Sequence, residues 1–231
     1  MPAQPNQSLA DGVALLGVLC SRDGAIGSRE LARLMGWEPT RANRLLGTLR
    51  DLGLAEQDAE RRYRPGPGVH LLAAQCLHGS GLLTAALPVI RELRRQDLGF
   101  AVGVLWQGSV CYILRAMAGR PVEEGMHRAN LYPAEQSSIG MVLEAASVGA
   151  TRTPADEIAA IRGRGYAIQR NPGAQTGSVA VAIPGATAQS PPVAAIAAMA
   201  DYAVHAPETL AALLRPAATA IAERLHRPAT F

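Results

Sequence analysis

The sequence predicts an α+β protein in two domains, and three observations lead there. Residues 8–66 carry helix-spaced leucines in three short segments and close on a polar hairpin signal. From about residue 81, β-rich runs alternate with helical periodicities, the pattern of strands interleaved with helices. A chain of 231 residues is also long enough to give each part a core of its own.

The first seven residues read as a disordered tail. From Leu9, apolar residues recur as Leu9, Val13, Leu16 and Cys20, which predicts a helix burying that row. SRDGAIG ends it as a turn. Ser28 then caps SRELARLMG, a short helix with Leu31, Leu34 and Met35 inward and Gly36 closing it. Trp37 and Pro39 make a tight connection, and Thr40 caps a third helix. There Ala42, Leu45, Leu46, Leu49 and Leu52 fall on one side of the helical wheel. Thr40, Asn43, Arg44 and Gly47 point the other way, with Arg41 and Arg50 on the shoulders. Gly53 stops the helix, and LAEQ and RRYR pair as strands about the polar tip DAE.

Beyond the hairpin, residues 66–78 and 82–97 read as helices, the second with Leu83, Leu87, Ile90 and Leu93 in register and a kink expected at Pro88. FAVGVLWQGSVCYILRA gives two strands about the hairpin signal Gln107-Gly108. A strand is expected near 121–125 and a helix over 138–146, and PADEIAAIRGRGYAI is a helix leading into a strand. GSVAVAIPG and PVAAIAAMA read as buried strands. PETLAALLRPAATAIAERL is a long final helix with Leu210, Leu214, Ala217, Ile221 and Leu225 inward.

Three helices followed by a hairpin form a winged helix-turn-helix. The leucine row fastens the third helix to the first two and leaves its polar face outside. An α-helix fits the major groove of B-DNA, and the hairpin can reach the neighbouring backbone. Gly47 supports this use, because glycine inside a helix costs about 1 kcal/mol and removes bulk where another surface could come close. Charge decides less: the nine arginines of this third are nearly cancelled by eight acidic residues, and the whole chain carries only +3. Its 22 basic residues are all arginine, with no lysine.

These residues resemble the IclR-type bacterial transcriptional regulators. The resemblance runs from about Gln7 to Leu225 and is strongest in QSLADGVALLGVL, SRELARLMGWEPTRANRLLGTLRDLGLAEQ and RYRPGPGVHLL. It implies a winged helix-turn-helix over 8–66, a linker helix over 67–80 and a GAF-like effector-binding and oligomerisation domain over 81–231. It places Thr40, Arg41, Asn43, Arg44, Gly47 and Arg50 at or near the recognition surface and Arg61 and Arg62 in the wing. The implied partners are a double-stranded, pseudo-palindromic DNA operator, a second copy in a homodimer or tetramer, and a small-molecule effector.

The resemblance assigns the effector pocket to Ser137, Ser138, Ile139, Gly140, Ala180, Ala197 and Met199. The first four lie at a helix N-terminus, where exposed backbone N–H groups suit a carboxylate. Elsewhere the chain departs from the family. PAEQSSIGM stands where proline, leucine, histidine, alanine, threonine, alanine, leucine, glycine and lysine are usual. Gln169 replaces an expected acid, and Ala180, Ala197 and Met199 replace expected hydroxyl or thiol groups. The loop between Glu144 and Pro154 is also shorter. Losing polar partners weakens the hold on a small polar acid, so the pocket is expected either to take a larger apolar or aromatic ligand, with Trp106 or Tyr112 nearby, or to have closed.

Other chemistries find little support. Five histidines (His70, His78, His127, His205, His226) lack metal-site spacing, and no cysteine pair forms CxxC, so neither metal nor cofactor is expected. No G-x-S-x-G elbow or phosphate loop points to an enzyme, and no catalytic residue is assigned. Cys20, Cys76 and Cys111 read as buried free thiols of a cytoplasmic protein. No apolar run approaches the roughly 20 residues that span a bilayer. The rival reading is a protein–protein or ligand-binding module that no longer binds DNA.

Overall fold

The computed structural model describes residues 6–94, 98–126, 131–187 and 189–226. The chain divides into two compact units, Met1–Gly79 and Ser80–Phe231. Of the expected tail, residues 1–5 lie outside the described residues. Asn6 instead caps the first helix, its side-chain oxygen accepting the Leu9 N–H at 3.1 Å.

In the first unit, helix α1 (Gln7–Cys20) buries Asp11, Leu15 and Leu19 rather than the expected row. Leu9 and Val13 are exposed. GVALLGVLC has apolar residues on nearly every side, so spacing alone could not select the inner face. An ion pair between Asp11 and Arg41 helps fix it. Strand β1 (Ile26–Gly27) runs directly into α2 (Ser28–Met35), with Gly27 at the cap position and Ser28 already helical. Leu31 and Ala32 face the core, Leu34 points outward, and Gly36 ends the helix at φ 66.

Helix α3 (Pro39–Asp51) starts with proline at its first turn, with Glu38 at the cap and Thr40 inside. Ala42, Leu45, Leu46 and Leu49 are buried, whereas Leu52, past the last helical residue, is exposed. Strands β2 (Ala55–Gln57) and β3 (Arg62–Pro65) form the hairpin. β1 adds itself to β3, giving a three-stranded sheet of order β1-β3-β2 that the turn reading of SRDGAIG had not foreseen. Fully burying a leucine contributes about 1.5–3 kcal/mol, so Leu15, Leu19, Leu31 and Leu46 are the main fastenings of α3. Helix α4 (Pro67–Ser80) follows and buries none of its side chains; Leu71 and Leu72 face solvent.

The second unit begins with α5 (Leu82–Leu93), which continues through Pro88 and buries Leu82, Ala85, Ala86, Val89 and Ile90; residues 95–97 of the expected helix lie outside the described residues. Strands β4 (Gly99–Trp106) and β5 (Ser109–Ala116) are joined by Gln107 at φ 49 and Gly108 at φ 73, the positive-φ pair of a tight hairpin. Residues 121–125 are not a strand. Pro121 leads a 3-10 turn over Val122–Met126, in which the Glu124 N–H bonds the Pro121 carbonyl. Strand β6 (Leu131–Pro133), helices α6 (Ser138–Ala146) and α7 (Ala155–Arg164), strands β7 (Ala167–Arg170), β8 (Thr176–Ile183) and β9 (Ala194–Asp201), and helix α8 (Pro207–Leu225) complete it.

The six strands make one antiparallel sheet of order β6-β5-β4-β9-β8-β7. Side chains alternate across it. Phe100, Val102, Leu114, Val179, Val181 and Ile196 meet α5 and α8 on one face. Ala101, Ala180, Ala195 and Ala197 meet α6 and α7 on the other, beside Ile139, Leu143 and Ile161. Buried Glu144 accepts hydrogen bonds from the Arg152 N–H (3.0 Å), the Thr153 N–H (2.9 Å) and the Thr153 hydroxyl (2.6 Å), which ties the short loop before α7 to α6. The thiols are not buried as expected: Cys20 and Cys76 are exposed and Cys111 half-buried, all free. Among the described residues, no single helix is long and apolar enough to cross a membrane.

Candidate nucleic-acid interface and ligand cavity

On α3, burying Ala42, Leu45, Leu46 and Leu49 leaves Thr40, Asn43 and Arg44 exposed. Gly47 shares their side, with open space around the position a Cβ would take. Hairpin and helix converge here: Asn43, Gln57, Arg61 and Tyr63 line one recess together with Ser28 and Arg29 from the start of α2. Arg29 was not among the expected contacts, because the reading weighed α3 and the wing only. Thr40, Arg41 and Arg44 line a second recess with Gln7, Ser8, Asp11 and Glu38.

The arginines of this unit differ in their commitments. Arg41 was expected on the DNA face, yet its guanidinium pairs with Asp11 and lies 4.7 Å from the Trp37 ring centroid. Hydrogen bonds from Arg41, then Gln7, hold the Asp11 carboxyl below its ordinary pKa. Arg41 therefore pins α1 to α3. Arg50 pairs with Asp51, Arg62 with Asp58 and Glu60, and Arg64 with Glu56. Among the described residues, Arg29, Arg33, Arg44 and Arg61 have no acidic partner. Arg61 also holds the hairpin tip at φ 60, a left-handed conformation that costs a non-glycine residue about 1–2 kcal/mol.

In the second unit a cavity of about 440 Å³ opens over the α6 face of the sheet. Strand register explains the space. Arg115, Ala101, Ala197, Ala180 and Ala167 are successive partners across five strands, and Gly99, Met199, Ser178 and Gln169 are partners across the next row. The alanines, glycine and serine that make up most of these rows leave the layer beneath α6 partly unfilled. Of the expected pocket residues, Ser137, Ser138, Ala197 and Met199 line the cavity, and Tyr112 and Gln169 do too. Ile139, Gly140 and Ala180 do not. Ile139 and Ala180 are fully buried in the core, and Gly140 is glycine because a Cβ there would overlap the Ala134 carbonyl.

The lining is also less apolar than the substitutions suggested. Arg115, Tyr132, Asn171, Thr176 and Ser178 supply polar groups that a comparison limited to the family's own pocket positions does not reach. Tyr112 Oη and Ser137 Oγ are 2.9 Å apart, and Ser138 Oγ and Ser178 Oγ 2.8 Å apart. Ser137 Oγ also accepts the Gly140 N–H, capping α6.

Residues 8–59 match the family model described as the IclR helix-turn-helix domain. No curated protein matches the chain. Solved structures do. An ICLR transcriptional regulator from Silicibacter sp. is 25% identical with a TM-score of 0.78, over 96% of this chain and 98% of its own. An IclR transcriptional regulator from Alicyclobacillus acidocaldarius is 20% identical, TM-score 0.72, over 96% and 100%. An IclR homolog from Microbacterium hydrocarbonoxydans, complexed with 4-hydroxybenzoate, is 23% identical, TM-score 0.68, over 94% and 98%.

Proposed function

We propose, on the premise that this is an IclR-type transcriptional regulator with that family's helix-turn-helix and two-unit fold, that it reads a pseudo-palindromic DNA operator as a dimer and answers to a small molecule held in its second unit. The observation that carries the DNA part is the composition of the α3 surface. Four leucine and alanine side chains are spent inward, and what remains outside is Thr40, Asn43, an unpaired Arg44 and a bare Gly47. Asn43 shares its recess with Arg29 and Arg61.

Asn and Arg suit base edges in the major groove, while cations at the recess rim suit phosphates. We therefore give Asn43 and Arg44 the base contacts and Arg29 and Arg61 the backbone, with Arg41 positioning α3 from behind. The winged helix spans 8–66, the linker helix 67–80 and the sensor 81–231. Helix α4 supports a dimer, because a 14-residue helix that buries nothing is marginal alone in water. The cavity in the second unit is the effector site, for an organic acid or an aromatic compound; the 4-hydroxybenzoate held by the Microbacterium structure supports that class. No catalytic role is assigned to any residue.

A salt titration of duplex binding tests the reading. Binding to random duplex should weaken steeply as salt rises, and Arg44→Ala should lose about 1–3 kcal/mol of discrimination between a selected operator and random sequence. A protein that binds no duplex at any salt is the rival ligand-binding module.

A further inference from the structure

Resting on the reading of the second-unit cavity as a ligand site, we infer that Arg115, held beside Tyr112 and Tyr132, is the anion receptor of that site and selects a monocarboxylate with an apolar or aromatic body.

This cluster comes from an irregularity in β5. Register runs Val102 to Leu114 and then Gly103 to Tyr112, so β5 carries one extra residue, Ile113, between them. In an unbroken strand Tyr112 and Arg115, an odd number apart, would face opposite sides. The bulge turns both toward the cavity, while Ile113 and Leu114 pack toward α5 and α8. The guanidinium carbon of Arg115 lies 5.6 Å from the Tyr112 ring centroid and 5.8 Å from that of Tyr132. The two rings meet edge to face at 5.3 Å. Tyr132 Oη accepts from Arg115 Nη1 at 3.3 Å. The two ring contacts and the Tyr132 hydrogen bond hold the guanidinium at the cavity wall, where its planar fork can meet a carboxylate through two N–H groups.

Charge selects the ligand's sign. Among the described residues, Arg115 is the one charged side chain that lines the cavity, and it has no acidic partner. An entering anion finds a cation already oriented and no carboxylate to repel it. Ala101, Ala197, Met199 and Ala200 then offer an apolar wall to the ligand's body, and the Tyr112 ring a π-face. A dication or a zwitterion with an exposed ammonium group finds no counter-charge.

Calorimetric titration of the full chain with benzoate and with benzamide, its neutral isostere, tests the assignment. Benzoate should bind at least tenfold more tightly than benzamide, and less tightly as salt rises. Arg115→Met should weaken benzoate about 10- to 100-fold and leave benzamide unchanged. Arg115→Lys, which restores charge without the planar fork, should recover part of the loss. Equal binding of the two ligands, absence of benzoate binding, or an Arg115→Met variant that binds benzoate as well as the parent overturns the inference. The benzoate–benzamide comparison needs no variant, so it decides the matter even where Arg115→Met does not fold. Duplex binding by the same preparation separates the two readings. A chain that binds DNA but not benzoate retains the regulator and loses the anion receptor, whereas benzoate held by Arg115 in a chain that binds no DNA does the reverse.

Discussion

Gly47→Ala should make the protein more stable and a worse DNA binder. Gly47 lies within α3, three and four residues beyond Arg44 and Asn43 on the same exposed side, and a Cβ built there meets nothing within 4 Å. Alanine in a helix interior is favoured over glycine by about 1 kcal/mol. With no clash to offset that gain, the whole of it should appear as stability. In a unit of this size, unfolding on its own, about 1 kcal/mol corresponds to roughly 4–8 °C in Tm. The same methyl group at a surface closed against DNA should cost about 1–3 kcal/mol as overpacking, or roughly 5- to 150-fold in affinity. Calorimetric melting and fluorescence anisotropy on a selected duplex, at one salt concentration, measure both quantities. A higher Tm with unchanged affinity means that α3 does not approach DNA through Gly47. A lower Tm means that Gly47 packs against something, and the open-face argument is wrong at its root.

Arg29→Ala and Arg61→Gly should each lower the slope of log affinity against log salt by about 0.9 per subunit, because both are assigned to phosphates, whereas Arg44→Ala, assigned to a base edge, should lower it less and cost discrimination instead. Arg62→Ala and Arg64→Ala should lower it less, because those cations already hold Asp58, Glu60 and Glu56; equal slopes across the five variants refute the distinction. The glycine at Arg61 should also raise Tm, since it removes the left-handed backbone cost at φ 60. Asp11 has its pKa lowered from 3.8 by the hydrogen bonds of Arg41 and Gln7. Its contribution to stability is therefore complete above that ordinary value and is lost as pH falls through the lower folded one. An acid melting series on Asp11→Asn should lack that part of the parent's decline, and parallel curves would count against it. Glu144→Ala strips the acceptor from three donors next to a buried Thr153 and should cost the second unit about 2–4 kcal/mol in urea denaturation. A loss below about 0.5 kcal/mol, the size of an ordinary surface change, would show that the loop before α7 needs no such tie.

How much of this was legible depends on where apolar and polar residues separate. In α3 they separate cleanly, and the wheel returned Ala42, Leu45, Leu46 and Leu49 with Thr40, Asn43 and Arg44 opposite. In α1 they do not: with leucine, valine or alanine on nearly every side, spacing leaves the inner face open, and a contact thirty residues away, between Asp11 and Arg41, helps fix it. The same long-range pair ties Arg41, a shoulder position on the wheel, to α1 while its side chain stays partly exposed. Local signals likewise missed β1, whose two residues become a strand only because β3 lies beside them. The hairpin at Gln107-Gly108 and the long helix α8 needed nothing distant and were read in place.

The cavity shows a different limit. Reading a strand by alternation assumes that facing is set by counting in twos, and that assumption holds for β8, where Val179 and Val181 face one helical layer and Ala180 the other. It fails in β5, because one extra residue resets the count between Tyr112 and Leu114. Gly103 sits at the register shift in FAVGVLWQGSVCYILRA and is the kind of residue that accompanies a bulge, but the extra residue lies on the partner strand, so its place is a property of the pair rather than of either strand. Counting therefore sends Arg115 to the side of the sheet opposite Tyr112. The expected pocket positions on β8 and β9, Ala180, Ala197 and Met199, also leave it out. On the neighbouring strand pair the bulge places a cation beside two tyrosines over a floor of alanines. Ala197 and Met199 on β9 and Arg115 on β5 thus line one cavity, its apolar floor and its cation supplied by different strands of the same sheet.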